Sequence, residues 1–210
     1  MLLSGGIDSA TALYLTKKSQ GVRALTFEYM GIARSELAAA KAVASRAGVL
    51  EHRIVRLPDL REAADIPGFK LGSLPPTYIP LRNSIFYAFA ASMAEETGAV
   101  SIVGGHNRDD MKVFDDVSSE FFTAQQAAFR AASPVLRRNR VHIVRPLRLK
   151  SKAEVVALAG RLNVPLEVTW SCHRDGREHC WRCPGCDSRR KSFARAGIAD
   201  PLALAGEKIT

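Results

Sequence analysis

The stretch Leu2-Leu3-Ser4-Gly5-Gly6-Ile7-Asp8-Ser9-Ala10-Thr11-Ala12-Leu13-Tyr14-Leu15 decides how this chain folds. Two leucines close a strand, two glycines turn the chain, and the apolar spacing after Ser9 has helical period. A strand that passes through glycines into a helix aims several unpaired backbone N–H groups at one point. The helix dipole adds partial positive charge there, so the point binds phosphate. Glycine suits the turn because a side chain would stand in the path of the anion. Ser4 and Ser9 offer hydroxyls, and Asp8 can hold a magnesium ion that accompanies a nucleotide. The string lacks the terminal lysine of a Walker loop and the spaced glycines of a dinucleotide site. An ordinary glycine turn is the competing reading.

Outward from this loop, short β-branched runs alternate with longer stretches of helical period. Strands are expected at 2–3, 22–27, 52–55, 100–103 and 141–144, and helices at 9–18, 35–47, 83–97, 118–132 and 151–162. Gly48 and Gly98 fall where helices stop, and Ser151 with Glu154 has capping-box spacing. Such alternation implies right-handed βαβ crossovers and an α/β fold, a Rossmann-like parallel sheet with helices on both faces. The expected division is an ATP-binding domain over 1–165 and a four-cysteine segment with a C-terminal helix over 166–210. The first strand, which belongs at the centre, is a stub: either the fold tolerates it or the natural start lies upstream. The connection 57–80 is long enough to suggest a functional role. Residues 170–186 look too polar and interrupted for helix or strand.

Cys172, Cys180, Cys183 and Cys186 are the chain's four cysteines, separated by seven, two and two residues. Two-residue gaps let backbone amides turn toward thiolates, and four thiolates complete a tetrahedral zinc shell, a structural site. His173 and His179 flank the set without being needed by it. An iron–sulfur cluster and a redox cysteine pair remain open. The formal charge is +9 and apolar residues make up 47%. That composition describes a globular protein, and the basic excess suits ATP and an acidic substrate as well as nucleic acid or a solvated face. No apolar run reaches the ~18–20 residues of a membrane span, so a cytoplasmic protein is expected.

Beside this reading stands a resemblance. The Ser-Gly-Gly-x-Asp-Ser string resembles the PP-loop of N-type ATP pyrophosphatases, the adenine nucleotide alpha hydrolase-like fold. Further strings, in order, resemble the 7-cyano-7-deazaguanine synthase family of queuosine and archaeosine biosynthesis. They are Thr26-Phe27-Glu28-Tyr29, Pro76-Thr77-Tyr78-Ile79-Pro80-Leu81-Arg82-Asn83, the spacing of Asp116, Glu120 and Phe121, and Thr169-Trp170-Ser171-Cys172 with the later cysteines. The likeness runs over nearly the whole chain. It departs at Met30-Gly31-Ile32-Ala33, where the family has Gly-Gln-Arg-His, and at Val117-Ser118, where it has Cys-Arg.

The resemblance implies a carbon–nitrogen ligase that adenylates 7-carboxy-7-deazaguanine, forms an amide with ammonia, and adenylates that amide to reach the nitrile. It implies ATP, magnesium and zinc, a homodimer, and no nucleic-acid partner. To the nucleotide it assigns Leu3, Ser4, Gly5, Gly6, Ile7, Asp8, Ser9, Phe27, Tyr29 and Gly104. To the chemistry it assigns Asp8, Arg82 for anion contact, Asn83 for orientation, and Asp109 or Asp116 for the base or ammonia. The metal falls to Cys172, Cys180, Cys183 and Cys186. A relative adenylating another carboxylate, a tRNA-modifying PP-loop enzyme and a nucleotide sensor are the rival readings.

Overall fold

The computed structural model describes residues 1–74, 78–112 and 114–203. β1 (Arg23–Tyr29) pairs in parallel with β2 (Glu51–Leu57), and β3 (Ser101–Val103) pairs in parallel with β4 (His142–Val144). Residues 1–3 join the two pairs. Leu3 N donates to Leu25 O at 2.9 Å, Leu25 N to Met1 O at 2.8 Å, and Leu2 N to Val103 O at 2.9 Å. The order across the molecule is therefore β2, β1, the stub, β3, β4. Through these bonds residues 1–3 stand between β1 and β3.

The described α-helices are α1 (Ile7–Thr16), α2 (Arg34–Ala47), α3 (Arg82–Thr97), α4 (Ser119–Ala132), α5 (Pro134–Arg138), α6 (Lys152–Arg161) and α7 (Pro184–Ala196). Successive residues of a strand face opposite sides, so each strand feeds two cores. Ala24 and Leu3 join Leu13, Val43, Val155 and Phe193 on one side, under α1, α2, α6 and α7. Leu25 and Phe27 join Tyr87, Ala91, Phe122 and Leu136 on the other, under α3, α4 and α5. The parallel pairs, covered on both faces, match the fold class expected above.

Local chemistry sets the helix ends. Gly48 and Gly98 cap α2 and α3 in the left-handed conformation, at φ +66° and +69°. Glu154 N donates to Ser151 Oγ at 3.3 Å, and Ser151 N donates to Glu154 Oε2 at 2.7 Å, closing the capping box of α6. α5 was not expected, although Ser133 caps it by accepting from Leu136 N at 3.1 Å and Pro134 opens it. The expectation that 170–186 lacks regular structure is corrected at its end. Cys183 is the N-cap of α7, Pro184 takes the first turn, and Cys186 lies in that turn. Proline is preorganised for this position, so a Cys-Pro pair reads as a helix start. Within the 57–80 connection a short 3-10 helix spans Ala63–Asp65, and Ala63 N donates to Tyr78 O at 2.7 Å. Pro76 and Thr77 lie outside the described residues.

A buried Arg189 ties α7 to the chain around it. Its guanidinium pairs bidentately with Asp200 at 2.6 and 2.8 Å and donates to Thr169 Oγ1 at 2.9 Å. Every charge in this network has a partner, the condition for carrying an arginine inside a core.

Candidate active site

The glycine loop leaves the stub at the carboxyl end of the sheet, where open α/β folds bind ligands. Gly5 has φ +87°, and a Cβ on it would lie 2.5 Å from Ala40 N and 2.7 Å from Glu36 O. Glycine is therefore needed there for the loop to lie on α2. At Gly6 the case differs: a Cβ would meet Ser4 Oγ at 3.5 Å and Trp170 O at 3.7 Å, both ordinary contacts. The two serines hold the loop's own shape. Gly6 N donates to Ser4 Oγ at 3.3 Å, Ser4 N to Ser9 Oγ at 3.2 Å, and Ser9 Oγ to Gly6 O at 3.1 Å. Ile7 opens α1, and its side chain, like that of Leu3, is buried in the core.

Asp8 stands in the first turn of α1, and Lys152 Nζ lies 3.9 Å from its Oδ2. Burial pushes its carboxyl up to about 6, Lys152 pulls it down, and the charges of Asp110 and Asp109 push it up again. Asp109 accepts from Lys152 N at 3.0 Å, so it caps the start of α6, and its own N–H donates to Asn107 Oδ1 at 2.7 Å. Gly105 lets this loop press on α1, since a Cβ there would come within 2.8 Å of Ser9 N and Cα. Gly104 N donates to Val144 O at 3.0 Å, and a Cβ on Gly104 would collide with the Tyr87 hydroxyl. A cavity of about 180 Å³ opens in front of Gly6, Asp8 and Lys152, walled by Trp170, His173 and Gly185.

A second cavity of about 340 Å³ lies beyond, lined by Tyr29, Glu36, Glu62, Tyr78, Arg82, Asp116 and His173 among others. Arg82 is the first residue of α3, and the residue before it, Leu81, is held in the left-handed region at φ +53°. A leucine adopts that conformation at a cost of about 1 kcal/mol or more, a strain that occurs where a side chain must be aimed. The acidity of the Tyr29 hydroxyl is lowered by burial first and then by Glu36, against the charge of Arg82. Burial pushes the Glu36 carboxyl up to about 7, against the attraction of Arg82. The cavity thus presents one guanidinium, three carboxyls and two phenols, a set that can hold an anion and a hydrogen-bonding heterocycle together.

Of the residues singled out in the sequence, Arg82, Asp116 and Tyr29 come together here. Asn83 does not line the cavity. It is buried, and its Nδ2 donates to Asp116 O at 3.2 Å, so it positions the Asp116 segment. The Phe27 ring is stacked on Phe86 with centroids 4.0 Å apart inside the core, which leaves its backbone alone to meet a ligand. Asp109 sits beside Asp8 and away from Arg82. Glu62, Tyr78 and His173 were not foreseen. Glu36, from the first turn of α2, lines the cavity as well. Tyr78 stands in the quoted Pro76–Asn83 string and His173 beside the cysteines, but no local pattern gives any of the four a place at the cavity, because they come from α2, the 57–80 connection and the cysteine segment.

The cysteine segment folds into one cluster. All four Sγ atoms lie within 4.8 Å of one another, with sulfur–sulfur distances of 3.5, 3.8 and 3.9 Å among them. Bonds of about 2.3 Å to a tetrahedral ion put sulfurs about 3.8 Å apart, so the cluster fits a single metal ion. A multi-iron cluster would hold them further apart. Backbone amides of His173 and Arg174 point at Cys183 and Cys172 at 3.5 and 3.4 Å. His179 is not a ligand: its Nε2 accepts from Ser171 N at 3.0 Å, and its ring packs on Trp170.

A family model described as "Queuosine biosynthesis protein QueC" matches residues 1–197. A 7-cyano-7-deazaguanine synthase of Thermoplasma volcanium is 35% identical over 215 residues, covering 96% of this chain and 88% of the relative. One of Thermosynechococcus vestitus is 36% identical over 221 residues, covering 98% and 94%. Among solved structures, the NMN synthetase of Francisella tularensis superposes with a TM-score of 0.53 at 17% identity, covering 94% of this chain and 76% of that one. That likeness bears on the fold.

Proposed function

The chain belongs to the QueC family of queuosine biosynthesis proteins, and on that premise we propose that it is an ATP-dependent carbon–nitrogen ligase converting 7-carboxy-7-deazaguanine and ammonia into 7-cyano-7-deazaguanine. The observation that carries the reading is the adjacency of two cavities at the sheet's carboxyl end. One is fronted by the α1 N-terminus and the other holds Arg82, and His173 walls both. ATP in the first brings its α-phosphorus toward an acid in the second.

The substrate's carboxylate oxygen attacks the α-phosphorus, the bond to the bridging oxygen breaks, and pyrophosphate leaves with the electron pair. Ammonia then displaces AMP from the acyl carbon and yields an amide. The amide oxygen attacks the α-phosphorus of a second ATP, whose bond to the bridging oxygen breaks as a second pyrophosphate leaves, and loss of AMP with two N–H protons leaves the nitrile. In this scheme Gly6, Ile7 and the first turn of α1 receive phosphate, and Asp8 holds the magnesium. Arg82 fixes the acid, while Asp116, Glu36 and Glu62 receive the heterocycle and the protons released. The four cysteines hold zinc, which supplies a structural cross-link. The resemblance also carries a cytoplasmic homodimer, checked by light scattering.

The test is incubation of the protein with ATP, ammonium and 7-carboxy-7-deazaguanine, read by mass spectrometry. AMP and the nitrile are the expected products. ATP cleavage with another acid, and none with this one, would replace the substrate and point to Met30–Ala33 as the reason.

A further inference from the structure

The cysteine segment reaches further than its metal shell. His173 follows Cys172 directly, yet it lines both the cavity in front of Gly6, Asp8 and Lys152 and the one that holds Arg82 and Asp116. Among the described residues of those two linings, His173 alone is common to both. Its backbone is pinned, since His173 N points at Cys183 Sγ at 3.5 Å. Room for the imidazole comes from Gly185 in the first turn of α7. A Cβ there would lie 2.9 Å from both His173 Cδ2 and Nε2 and would collide with Ser171 O. The glycine between Cys183 and Cys186 thus brings the ring against the start of a helix, at the one residue the two linings have in common. Lys152 stands across the first of them, and Asp116, Glu36 and Glu62 line the second.

We propose that His173 is a catalytic residue of the adenylation step, donating an N–H to the phosphate oxygens that gain charge as the α-phosphorus passes from pyrophosphate to the acid. This rests on the function proposed above. In that step a carboxylate oxygen forms the new bond to phosphorus, the bond to the bridging oxygen breaks, and pyrophosphate departs with the electrons. No proton changes hands, so a hydrogen-bond donor is what the site requires, and an imidazole N–H at the junction supplies one. The four-cysteine segment then has a second task beside stability: it holds the donor in register with the loop.

The experiment is acid-dependent exchange of labelled pyrophosphate into ATP, run on the wild type, His173→Ala and His173→Gln, with metal content and ATP affinity measured on each. His173→Ala is expected to lose exchange by about 10- to 100-fold with metal content and ATP affinity unchanged. His173→Gln, whose amide N–H can replace an imidazole donor, is expected to recover most of the rate. Exchange by His173→Ala at the wild-type rate would overturn the inference. So would a loss that follows loss of metal, or one that glutamine fails to rescue. A wild type without acid-dependent exchange would instead overturn the proposed function, and this inference with it.

Discussion

Replacing Glu36 by glutamine should make the protein more stable above neutral pH and less active. Glu36 faces Arg82, Glu62, Asp116 and Tyr29 across the second cavity. Burial outweighs the attraction of Arg82 and moves its carboxyl from 4.5 to about 7. A carboxyl that is harder to ionise in the folded state adds nothing unfavourable below pH 4.5, where it is protonated in both states. As pH rises through that value the unfolded chain ionises and the folded one does not, so stability falls. The loss is complete above about pH 7. At about 1.4 kcal/mol per pH unit between the two values, the full loss is about 3 kcal/mol, an upper limit because the side chain is partly exposed.

The difference in unfolding free energy between Glu36→Gln and the wild type should therefore be flat below pH 4.5, rise between there and about pH 7, and level off. Asp8, which titrates near 6, is present in both proteins and drops out of the difference. Urea unfolding followed by circular dichroism between pH 4 and 9 measures it. In a chain of this size a full 3 kcal/mol corresponds to about 6–12 °C in melting temperature. A pH-independent difference, or one that falls as pH rises, would refute the reasoning. Stability gained by removing a charge from a site is the usual mark of a functional group held against its own interest.

Gly6→Val should fold like the wild type and fail to bind ATP, because a Cβ there meets protein only at ordinary contact distance; calorimetry with ATP checks it. Gly5→Ala should lower the melting temperature, since its φ of +87° and its contact with Ala40 N leave no room. Arg82→Ala should cut nitrile formation by about 100-fold while ATP affinity changes little, and equal steady-state rates would remove Arg82 from the site. The purified protein should carry about one zinc per chain by elemental analysis, and chelation should lower its melting temperature. Iron with visible absorbance, or four cysteines without metal, would overturn that assignment.

Periodicity and turn chemistry were enough to find the strands and the longer helices, because alternation of two and spacing of 3.6 are local properties of the chain. The glycine loop was legible for the same reason: Ser4 to Ser9 carry their whole geometry in six consecutive residues. The cysteine cluster was legible as a set, since its two-residue gaps are local, although its overlap with α7 was hidden by the very residues that bind metal. Only tertiary structure decided the second cavity. Glu36, Glu62, Asp116 and His173 come from parts of the chain distant from the string that carries Tyr78 and Arg82, and the turn at Leu81 that aims Arg82 carries no glycine to announce it. Burial separated groups that the sequence treats alike. It put Phe27 in the core and Tyr29, two residues on and facing the same side, at the cavity. It turned Asn83 inward to Asp116 O while its neighbour Arg82 reaches the site. Composition cannot express such choices, because which side of a residue is dry depends on what the rest of the chain packs against it.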